Sequence, residues 1–256
     1  MKNAKNEIIW YLESLQVCTR EQIYLDEINL NDKLQNIIHK FCNQRVAGVP
    51  FQYILKKSTF YGRDFYINQH VLIPRPETEL FISQLINKSF NHALEIGTGS
   101  GVLAITLSLE KISKKIIATD ISSKALSVAK KNIAQFQLSN ITLLKHDFLN
   151  ERFNEKFNLI ISNPPYITYK EYQSLSKEVK DYEPSIALTD KGNGLLFYSR
   201  FADILEDILL PQGVFLCELG SAALIPEIKF FFIRKGFKIQ LLKDLNNDER
   251  ILKIKF

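Results

Sequence analysis

The sequence predicts an α/β protein, with a doubly wound, mostly parallel seven-stranded sheet, a small N-terminal helical domain and a β-hairpin connector. Two observations support this fold class. Short apolar strands alternate with amphipathic helices from about residue 78 onward, an order typical of a parallel sheet covered on both faces. Glycine, acidic or amide residues follow several of these strands, at the edge where such sheets bind ligands.

Composition indicates a soluble globular protein in a reducing compartment. The 256 residues are 46% hydrophobic and 24% charged, which is ordinary for such proteins. Cys18, Cys42 and Cys217 are far apart and form no C-x-x-C pair, which argues against a disulfide framework or a cysteine zinc site. The net charge of +5 only weakly favours an anionic partner. We see no signal peptide or membrane span, so we expect a cytoplasmic protein that does not bind membranes.

Residues 1–55 predict a small domain of three helices. Thr19 followed by Gln22 forms a capping box, which predicts a helix running to about Glu27. Apolar residues on one helical face indicate a helix before it and another after it. These residues are Trp10, Tyr11, Leu12 and Leu15 in the first, and Leu34, Ile37, Ile38 and Phe41 in the third. Nothing here indicates chemistry, so we interpret this domain as a docking or packing module.

Residues 56–77 predict a hairpin and a connector, because aromatic and β-branched residues flank Gly62. Pro74 and Pro76 are expected to hold the backbone extended and to stop any helix. The remaining residues, 78–256, are expected to form the α/β domain.

The elements of this domain follow from local pattern. The predicted strands are 93–96, 115–119, 141–144, 158–162, 214–219, 237–242 and 251–256. The predicted helices are 102–109, a helix capped by Ser122, 195–210 and 224–235.

A glycine-rich loop follows the first strand of this domain and opens the next helix. Glycines allow a tight turn and let a ligand approach bare backbone, while amides at the start of a helix face a polar or anionic group. The spacing is G-x-G-x-G, which differs from that of dinucleotide-binding folds. A purely structural turn is the alternative. The loop residues are Gly97, Thr98, Gly99, Ser100 and Gly101.

Two further strands end in residues suited to a nucleoside. Asp120 ends the second strand, where a carboxylate can accept both hydroxyls of a ribose, although helix capping is an alternative role. His146, Asp147 and Phe148 follow the third strand. There the Asp147 carboxylate or the Phe148 backbone could meet an adenine edge, and the Phe148 ring could cover the base. The alternative is a polar turn with a core phenylalanine.

Asn163, Pro164, Pro165 and Tyr166 follow the fourth strand. Consecutive prolines present carbonyls without competing N–H donors, and Pro164 keeps Asn163 extended. The Asn163 amide oxygen and the Pro164 carbonyl can therefore accept both hydrogens of one planar NH₂ group, on which Tyr166 can stack. Such acceptors aim the nitrogen lone pair and stabilise positive charge that develops there. No metal is required, and the four histidines show no ligand spacing.

The glycine loop, Asp120 and the Asn-Pro-Pro-Tyr tetrad resemble class I methyltransferases that use S-adenosylmethionine, in the branch that includes N6-adenine and protein-glutamine enzymes. Flanking segments narrow the resemblance to the release factor glutamine methyltransferase family. These segments are Pro50–Ile54, Phe60–Gly62, His70–Glu79, Tyr182–Pro184, 193–198 and Lys243–Leu245. The sequence departs from the family at Asn193, where an aspartate is usual, and at Asn247-Asp248, where glycine and arginine are usual.

This resemblance implies methyl transfer from S-adenosylmethionine, leaving S-adenosylhomocysteine, to the N5 amide nitrogen of the glutamine in the Gly-Gly-Gln motif of class I peptide chain release factors. It implies that the helical domain docks the release factor, and that the enzyme is a monomer that binds no nucleic acid directly. The implied cofactor-binding residues are Gly97, Thr98, Gly99, Ser100, Gly101, Asp120, Asp147, Phe148 and Asn163. The implied substrate-binding residues are Asn163, Pro164, Pro165 and Tyr166, of which Asn163, Pro164 and Tyr166 are the catalytic set.

Two other functions and one residue role stay open. The tetrad also suits an adenine N6 amine in DNA or RNA, and the fold could serve as a non-catalytic binding module. Arg75, Glu77 and Thr78 match a family motif. They could form a rigid linker with a buried ion pair, or they could contact the cofactor directly.

Overall fold

A computed structural model describes residues 4–25, 27–28 and 30–255 and confirms the predicted α/β architecture. Its strands are β1 (Lys57–Phe60), β2 (Arg63–Tyr66), β3 (Phe90–Ile96), β4 (Ser113–Asp120), β5 (Ile141–Lys145), β6 (Phe157–Ser162), β7 (Leu209–Glu218), β8 (Ile239–Lys243) and β9 (Glu249–Lys255). Its α-helices are α1 (Ala4–Ser14), α2 (Arg20–Tyr24), α3 (Asp32–Val46), α4 (Phe51–Leu55), α5 (Leu80–Leu85), α6 (Val102–Leu109), α7 (Ser123–Gln135), α8 (Tyr169–Gln173), α9 (Lys177–Lys180), α10 (Leu196–Ile208) and α11 (Ile225–Ile233). Short 3-10 helices cover Pro76–Glu79, Ser185–Ala187 and Ala222–Leu224.

Seven strands form one sheet in the order β5-β4-β3-β6-β7-β9-β8. Neighbours from β5 to β7 are parallel, and β9 runs antiparallel to both β7 and β8. The chain starts this sheet at β3, adds β4 and β5 on one side, and then crosses to β6 on the other. The order therefore reverses between β3 and β6, which is where doubly wound sheets bind ligands.

The central strands are apolar on both faces because helices cover both faces. Leu94 and Ile160 are fully buried against α10 and α11. Their neighbours Ala93 and Leu159 are equally buried, but they face a second cluster formed by α5, α6 and the β1–β2 hairpin. Side chains alternate along a strand, so each strand contributes to two cores.

The connector contains one element that the sequence did not predict. The hairpin is present, with Tyr61 and Gly62 in the left-handed region at φ 48° and 71°. The expectation that Pro76 stops any helix is wrong. Pro76 begins a 3-10 helix that leads directly into α5. The first helical position needs no backbone N–H partner, so proline is well suited to it.

The N-terminal segment has four described helices, one more than expected. The Thr19 capping box is present, but α2 ends at Tyr24 instead of continuing to about Glu27. The extra helix is α4. Farther along the chain, two positions predicted at the end of a helix, Leu209 and Leu210, begin β7. Phe256, the predicted end of the last strand, lies outside the described residues, as do residues 1–3 of the predicted helical domain.

Polar contacts join the N-terminal helices to the segment after β6. The Arg45 guanidinium lies 2.8 Å from a Glu7 carboxylate oxygen and 2.6 Å from one of Glu178. The Tyr182 hydroxyl donates to the Ala47 carbonyl at 2.9 Å. These contacts hold α3 beside the edge of the sheet at which the strands end.

Within the described ranges, no helix combines the length and the apolar character that crossing a membrane requires.

Candidate active site

Sheet register brings the predicted motifs together. Ile96 at the end of β3 pairs with Thr119 of β4 on one side and with Ser162 of β6 on the other. The residues that follow, Gly97, Asp120 and Asn163, therefore emerge side by side. Ser162 also pairs with Cys217 of β7, which sets Glu218 in the same row. The site lies at the point where the strand order reverses.

A cavity of about 360 Å³ opens along this edge, a volume in the range of small-molecule sites. Most of the predicted binding residues line it. They are Gly97, Thr98, Gly99, Ser100, Asp120, Asp147, Phe148, Asn163 and Pro165. The predicted residues Gly101, Pro164 and Tyr166 do not line it. The cavity wall also includes Thr78, for which the sequence analysis left direct cofactor contact open, and Glu95, which it did not assign to binding.

The glycine loop combines two different uses of glycine. Gly97, Gly99 and Gly101 all have positive φ, at 76°, 55° and 83°. A Cβ on Gly99 would meet no atom within 4 Å, so its backbone faces open space. A Cβ on Gly101 would lie 3.2 Å from Ile105 and 3.3 Å from Ala129, so this glycine permits close packing of α6 against α7. Gly101 is therefore explained by packing and the two others by access to backbone.

Glu95 lies beneath the loop and is 2% exposed. Its carboxylate accepts hydrogen bonds from the Thr98 hydroxyl at 2.7 Å and from the Ala104 amide at 3.0 Å. Burial raises the pKa of Glu95 to about 8, although both hydrogen bonds oppose this shift. A titratable carboxyl at the cavity floor could have been suspected from its position at the end of a strand, directly before the glycines.

Asp120 serves the loop and the next helix at once. One carboxylate oxygen accepts from the Gly99 amide at 2.9 Å, and the other accepts from the Ser122 amide at 2.9 Å. Burial raises the pKa of this carboxyl above its ordinary value. Ser122 caps α7 as predicted, accepting from Ala125. Asp120 thus fixes the turn while it lines the cavity, where its carboxylate has lone pairs left for hydroxyl groups.

The segment after β5 contributes mainly apolar surface. Phe148 is 4% exposed and stacks on Phe197, with ring centroids 6.0 Å apart. The Asp147 carboxylate accepts from the Leu149 amide and from the Asn150 side chain, so local turn contacts occupy both oxygens. Asp147 and Phe148 both line the cavity, and their contact with an adenine stays a prediction.

His146 is a further lining residue at this end of the cavity. Its imidazole is buried and stacks on Phe153 at 4.0 Å between centroids. Neither ring nitrogen has a hydrogen-bond partner among the described residues. Its Nε2 lies 3.9 Å from a carboxylate oxygen of Glu151, beyond hydrogen-bond distance.

Asn163 is held by a residue from the connector. Its side-chain Nδ2 donates to the Thr78 hydroxyl oxygen at 3.1 Å, and that hydroxyl donates to Glu218 at 2.7 Å. Its backbone oxygen lies beside the glycine loop, 3.8 Å from where a Cβ of Gly97 would be. Asn163 therefore lies at the junction between the loop and the tetrad.

Tyr166 is fixed from two sides. Its hydroxyl donates to the second carboxylate oxygen of Glu218 at 3.2 Å. A Cβ on Gly220 would lie 2.5 Å from the Tyr166 ring, and a Cβ on Gly194 would overlap the Tyr166 carbonyl. Glycine is thus required at both positions. The sequence analysis missed Glu218 and Gly220. No local motif marks these two residues, since only the pairing of β6 with β7 brings them to Tyr166.

The Arg75 motif contains the ion pair that the sequence analysis considered. Arg75 lies 2.6 Å from a carboxylate oxygen of Glu183, whose side chain is 2% exposed, and the other oxygen accepts from the Ile73 amide. Glu79 accepts from the Tyr61 amide at 2.8 Å. Arg75 also lines the cavity. The motif thus ties the connector to both the hairpin and the tetrad side of the site.

One departure from the family pattern has a conformational explanation. Asn247 has φ 68°, in the left-handed region that favours glycine and that asparagine tolerates best among other residues. At the other departure, the Asn193 side chain accepts from the Leu195 amide at 3.2 Å.

Across residues 4–25, 27–28 and 30–255, no group of three or more His, Cys, Asp or Glu side chains is placed to hold a metal ion.

The fold and this site define a methyltransferase, and comparison with known proteins agrees. Residues 76–195 match the methyltransferase small domain family. A crystal structure of a methyltransferase from Pyrococcus furiosus superimposes with a TM-score of 0.60 at 22% identity, over 83% of this chain and 98% of that one. This likeness supports the fold alone.

Relatives with higher sequence identity show which family of methyltransferases this is. A release factor glutamine methyltransferase of Bacillus subtilis (strain 168) is 39% identical over an alignment of 218 residues, which covers 80% of this chain and 75% of that protein. Another, from Buchnera aphidicola subsp. Schizaphis graminum, is 34% identical over 98% of this chain and 92% of its own length. The chain belongs to the release factor glutamine methyltransferase family.

Proposed function

We propose that the protein methylates the N5 amide nitrogen of the glutamine in the Gly-Gly-Gln motif of class I peptide chain release factors, using S-adenosylmethionine. It is then a transferase that modifies a protein of translation termination. The observation that carries this proposal is the orientation of Asn163. Its Nδ2 is bonded to Thr78, whereas its Oδ1 has no partner among the described residues. An acceptor is thus available where a planar NH₂ group must be held.

The cavity fits S-adenosylmethionine, which supplies an electrophilic methyl group when bound. The exposed backbone at Gly97 and Gly99 admits a close ligand, and Asp120 offers acceptors for hydroxyl groups. Phe148 offers an apolar face for a base. Asp120 places a carboxyl group on the cavity wall, which favours a ligand that carries positive charge.

The tetrad is suited to activate an amide without a general base in contact with it. An amide nitrogen is a poor nucleophile because its lone pair is delocalised. Asn163 Oδ1 and the Pro164 carbonyl accept its two hydrogens and thereby aim the lone pair at the cavity. The same oxygens stabilise positive charge on the nitrogen until one of its protons passes to solvent water. Tyr166 and Pro165 bound the amide plane.

The remaining assignments follow from this function. We take residues 1–55 as the helical domain that docks the release factor, 56–77 as the hairpin and connector, and 78–256 as the methyltransferase domain. We propose that the enzyme acts as a monomer. Release factors act in the cytoplasm, and we place the enzyme there, without direct contact to nucleic acid or membrane.

Transfer of labelled methyl from S-adenosylmethionine tests this proposal. The acceptors are a purified class I release factor, the same factor with its Gly-Gly-Gln glutamine changed to alanine, DNA and RNA. We expect label in the intact factor only. Label in nucleic acid would show the adenine N6 alternative to be correct. No label together with no calorimetric binding of S-adenosylmethionine would favour a non-catalytic binding module.

A further inference from the structure

Thr78 connects two parts of the site that lie far apart in the sequence. It belongs to the 3-10 helix at Pro76–Glu79, yet its hydroxyl lies between Asn163, after β6, and Glu218, at the end of β7. Thr78 is 4% exposed and Glu218 is 1% exposed. Buried polar groups of this kind are held in specific hydrogen-bond geometry.

We infer that Glu218 and Thr78 form a positioning relay that fixes the side-chain amide of Asn163 with Oδ1 directed at the substrate nitrogen. This inference rests on the proposed function and deepens it. Neither residue needs to touch the substrate amide, so both are positioning residues.

The direction of each hydrogen bond follows from the chemistry of the groups. An ionised carboxylate only accepts, so the Thr78 hydroxyl must donate its one hydrogen to Glu218. The Thr78 oxygen then only accepts, so Asn163 must present its NH₂ to Thr78. An inverted Asn163 amide would leave Oδ1 facing the Thr78 oxygen without a hydrogen between them. The carboxylate therefore selects one of the two amide orientations.

The second oxygen of Glu218 extends the same relay to the other end of the tetrad. It accepts from the Tyr166 hydroxyl at 3.2 Å, so one carboxylate holds both Asn163 and Tyr166. Arg250 on β9 stabilises the negative charge of Glu218, whereas Glu77 opposes it. The side chains of Cys217 and Tyr198 lie close by without supplying a cation, and the Tyr198 hydroxyl donates to the Glu218 backbone oxygen.

Protonation of Glu218 would reverse the relay. Burial raises the pKa of this carboxyl to about 7, so its charge is sensitive to what surrounds it. A protonated Glu218 can donate to Thr78, whose hydroxyl would then donate to Asn163 and draw Oδ1 away from the substrate. Glu218→Gln imitates this state when its amide oxygen accepts from Tyr166 and its NH₂ group faces Thr78.

The experiment compares Thr78→Val, Thr78→Ser, Glu218→Gln and the double variant Thr78→Val/Glu218→Gln with the unaltered enzyme in labelled-methyl transfer to a class I release factor. Thr78→Val keeps the shape of Thr78 and removes its hydroxyl, whereas Thr78→Ser keeps the hydroxyl. We expect Thr78→Val and Glu218→Gln to lower kcat by about tenfold or more, since a misdirected acceptor acts on the reacting nitrogen. Thr78→Ser is expected to stay within about threefold of the unaltered kcat.

Two further readouts separate positioning from a merely structural role. The Kd for S-adenosylmethionine and the KM for the release factor are expected to change by less than about threefold in each single variant. The double variant is expected to be no slower than the slower single variant, because residues of one relay are not additive.

Unchanged kcat in Thr78→Val would overturn the relay, and so would a Thr78→Val variant that loses cofactor binding in parallel with kcat. If Glu218→Gln does not fold, the comparison of Thr78→Val with Thr78→Ser tests the relay by itself. Absence of transfer by the unaltered enzyme would instead refute the proposed function.

Discussion

Backbone groups organise the side of the cavity around the glycine loop, whereas side chains from distant segments organise the side around Asn163. Asp120 accepts from the Gly99 and Ser122 amides, so the loop is held by residues close to it along two adjacent strands. Asn163 depends on Thr78 and Glu218, which lie 85 residues before it and at the end of β7. One side is built from a local motif, and the other is assembled by the fold.

This difference separates two kinds of sensitivity. Changes on the loop side are expected to act on cofactor affinity, since we propose that its groups surround the cofactor. Changes on the tetrad side are expected to act on turnover, since we propose that its groups orient the substrate nitrogen. The following predictions test this separation, starting with the largest expected effect.

Asn163→Ala removes the acceptor that we propose for the substrate amide. We expect kcat to fall by about 10²–10³-fold, the usual result of deleting one group that stabilises charge at a reacting atom. Cofactor binding, measured by calorimetry, is expected to stay largely intact because the loop is fixed by Asp120 and Glu95. Full retention of activity would refute the role of Asn163.

Gly220→Ala acts on Tyr166 without altering it. The added methyl would lie 2.5 Å from the ring, so the ring must move. We expect kcat to fall by about tenfold to a hundredfold, as for a displacement of about 1 Å near a reacting group. In a Tyr166→Ala background the ring is gone, and Gly220→Ala should then add almost nothing to the loss. A loss of equal size in both backgrounds would mean that Gly220 acts through something other than Tyr166.

Asp120→Asn tests the loop side. Asparagine can replace only one of the two acceptor oxygens that hold the Gly99 and Ser122 amides. We expect the Kd for S-adenosylmethionine to rise by about tenfold, since a hydrogen bond to a charged group contributes roughly 1.5–3 kcal/mol. At saturating cofactor, kcat should stay near that of the unaltered enzyme. A fall in kcat with unchanged Kd would remove the distinction between the two sides.

Glu95→Gln comes last because its expected effect is on the pH dependence of stability. The folded protein holds a proton on Glu95 up to its pKa of about 8, whereas an unfolded chain releases it near the ordinary value of 4.5. The free energy of unfolding therefore falls as pH rises between these values. Glutamine has no such proton, so the variant should gain stability relative to the unaltered protein from pH 5 to pH 8. Urea unfolding at several pH values measures this difference, and parallel profiles would contradict it.

The sequence predicted the loop side better than the tetrad side, for a physical reason. Helix α6 and the Ser122 cap depend on residues close together along the chain, and each was predicted correctly. Helix α5 was missed because Pro76 was interpreted as a helix stop, although it serves equally well as a helix start.

Most of the tetrad was recognisable, but its support was not. Asn163 and Tyr166 lie in a conspicuous motif, whereas Glu218 ends an ordinary apolar strand and Gly220 follows it. Their part in the site arises only when β6 and β7 pair in register, with Ser162 opposite Cys217. No local pattern encodes that pairing.

The position of β9 bears on the order in which the enzyme becomes competent during its own synthesis. β9 follows β8 along the chain but lies between β7 and β8, and its Arg250 carbonyl accepts from the Leu219 amide beside Glu218. The glycine loop and Asp120 leave the ribosome early. The edge that supports Glu218 stays open until residues 249–255 have emerged. A nascent chain would thus acquire its nucleoside pocket before it could align an amide.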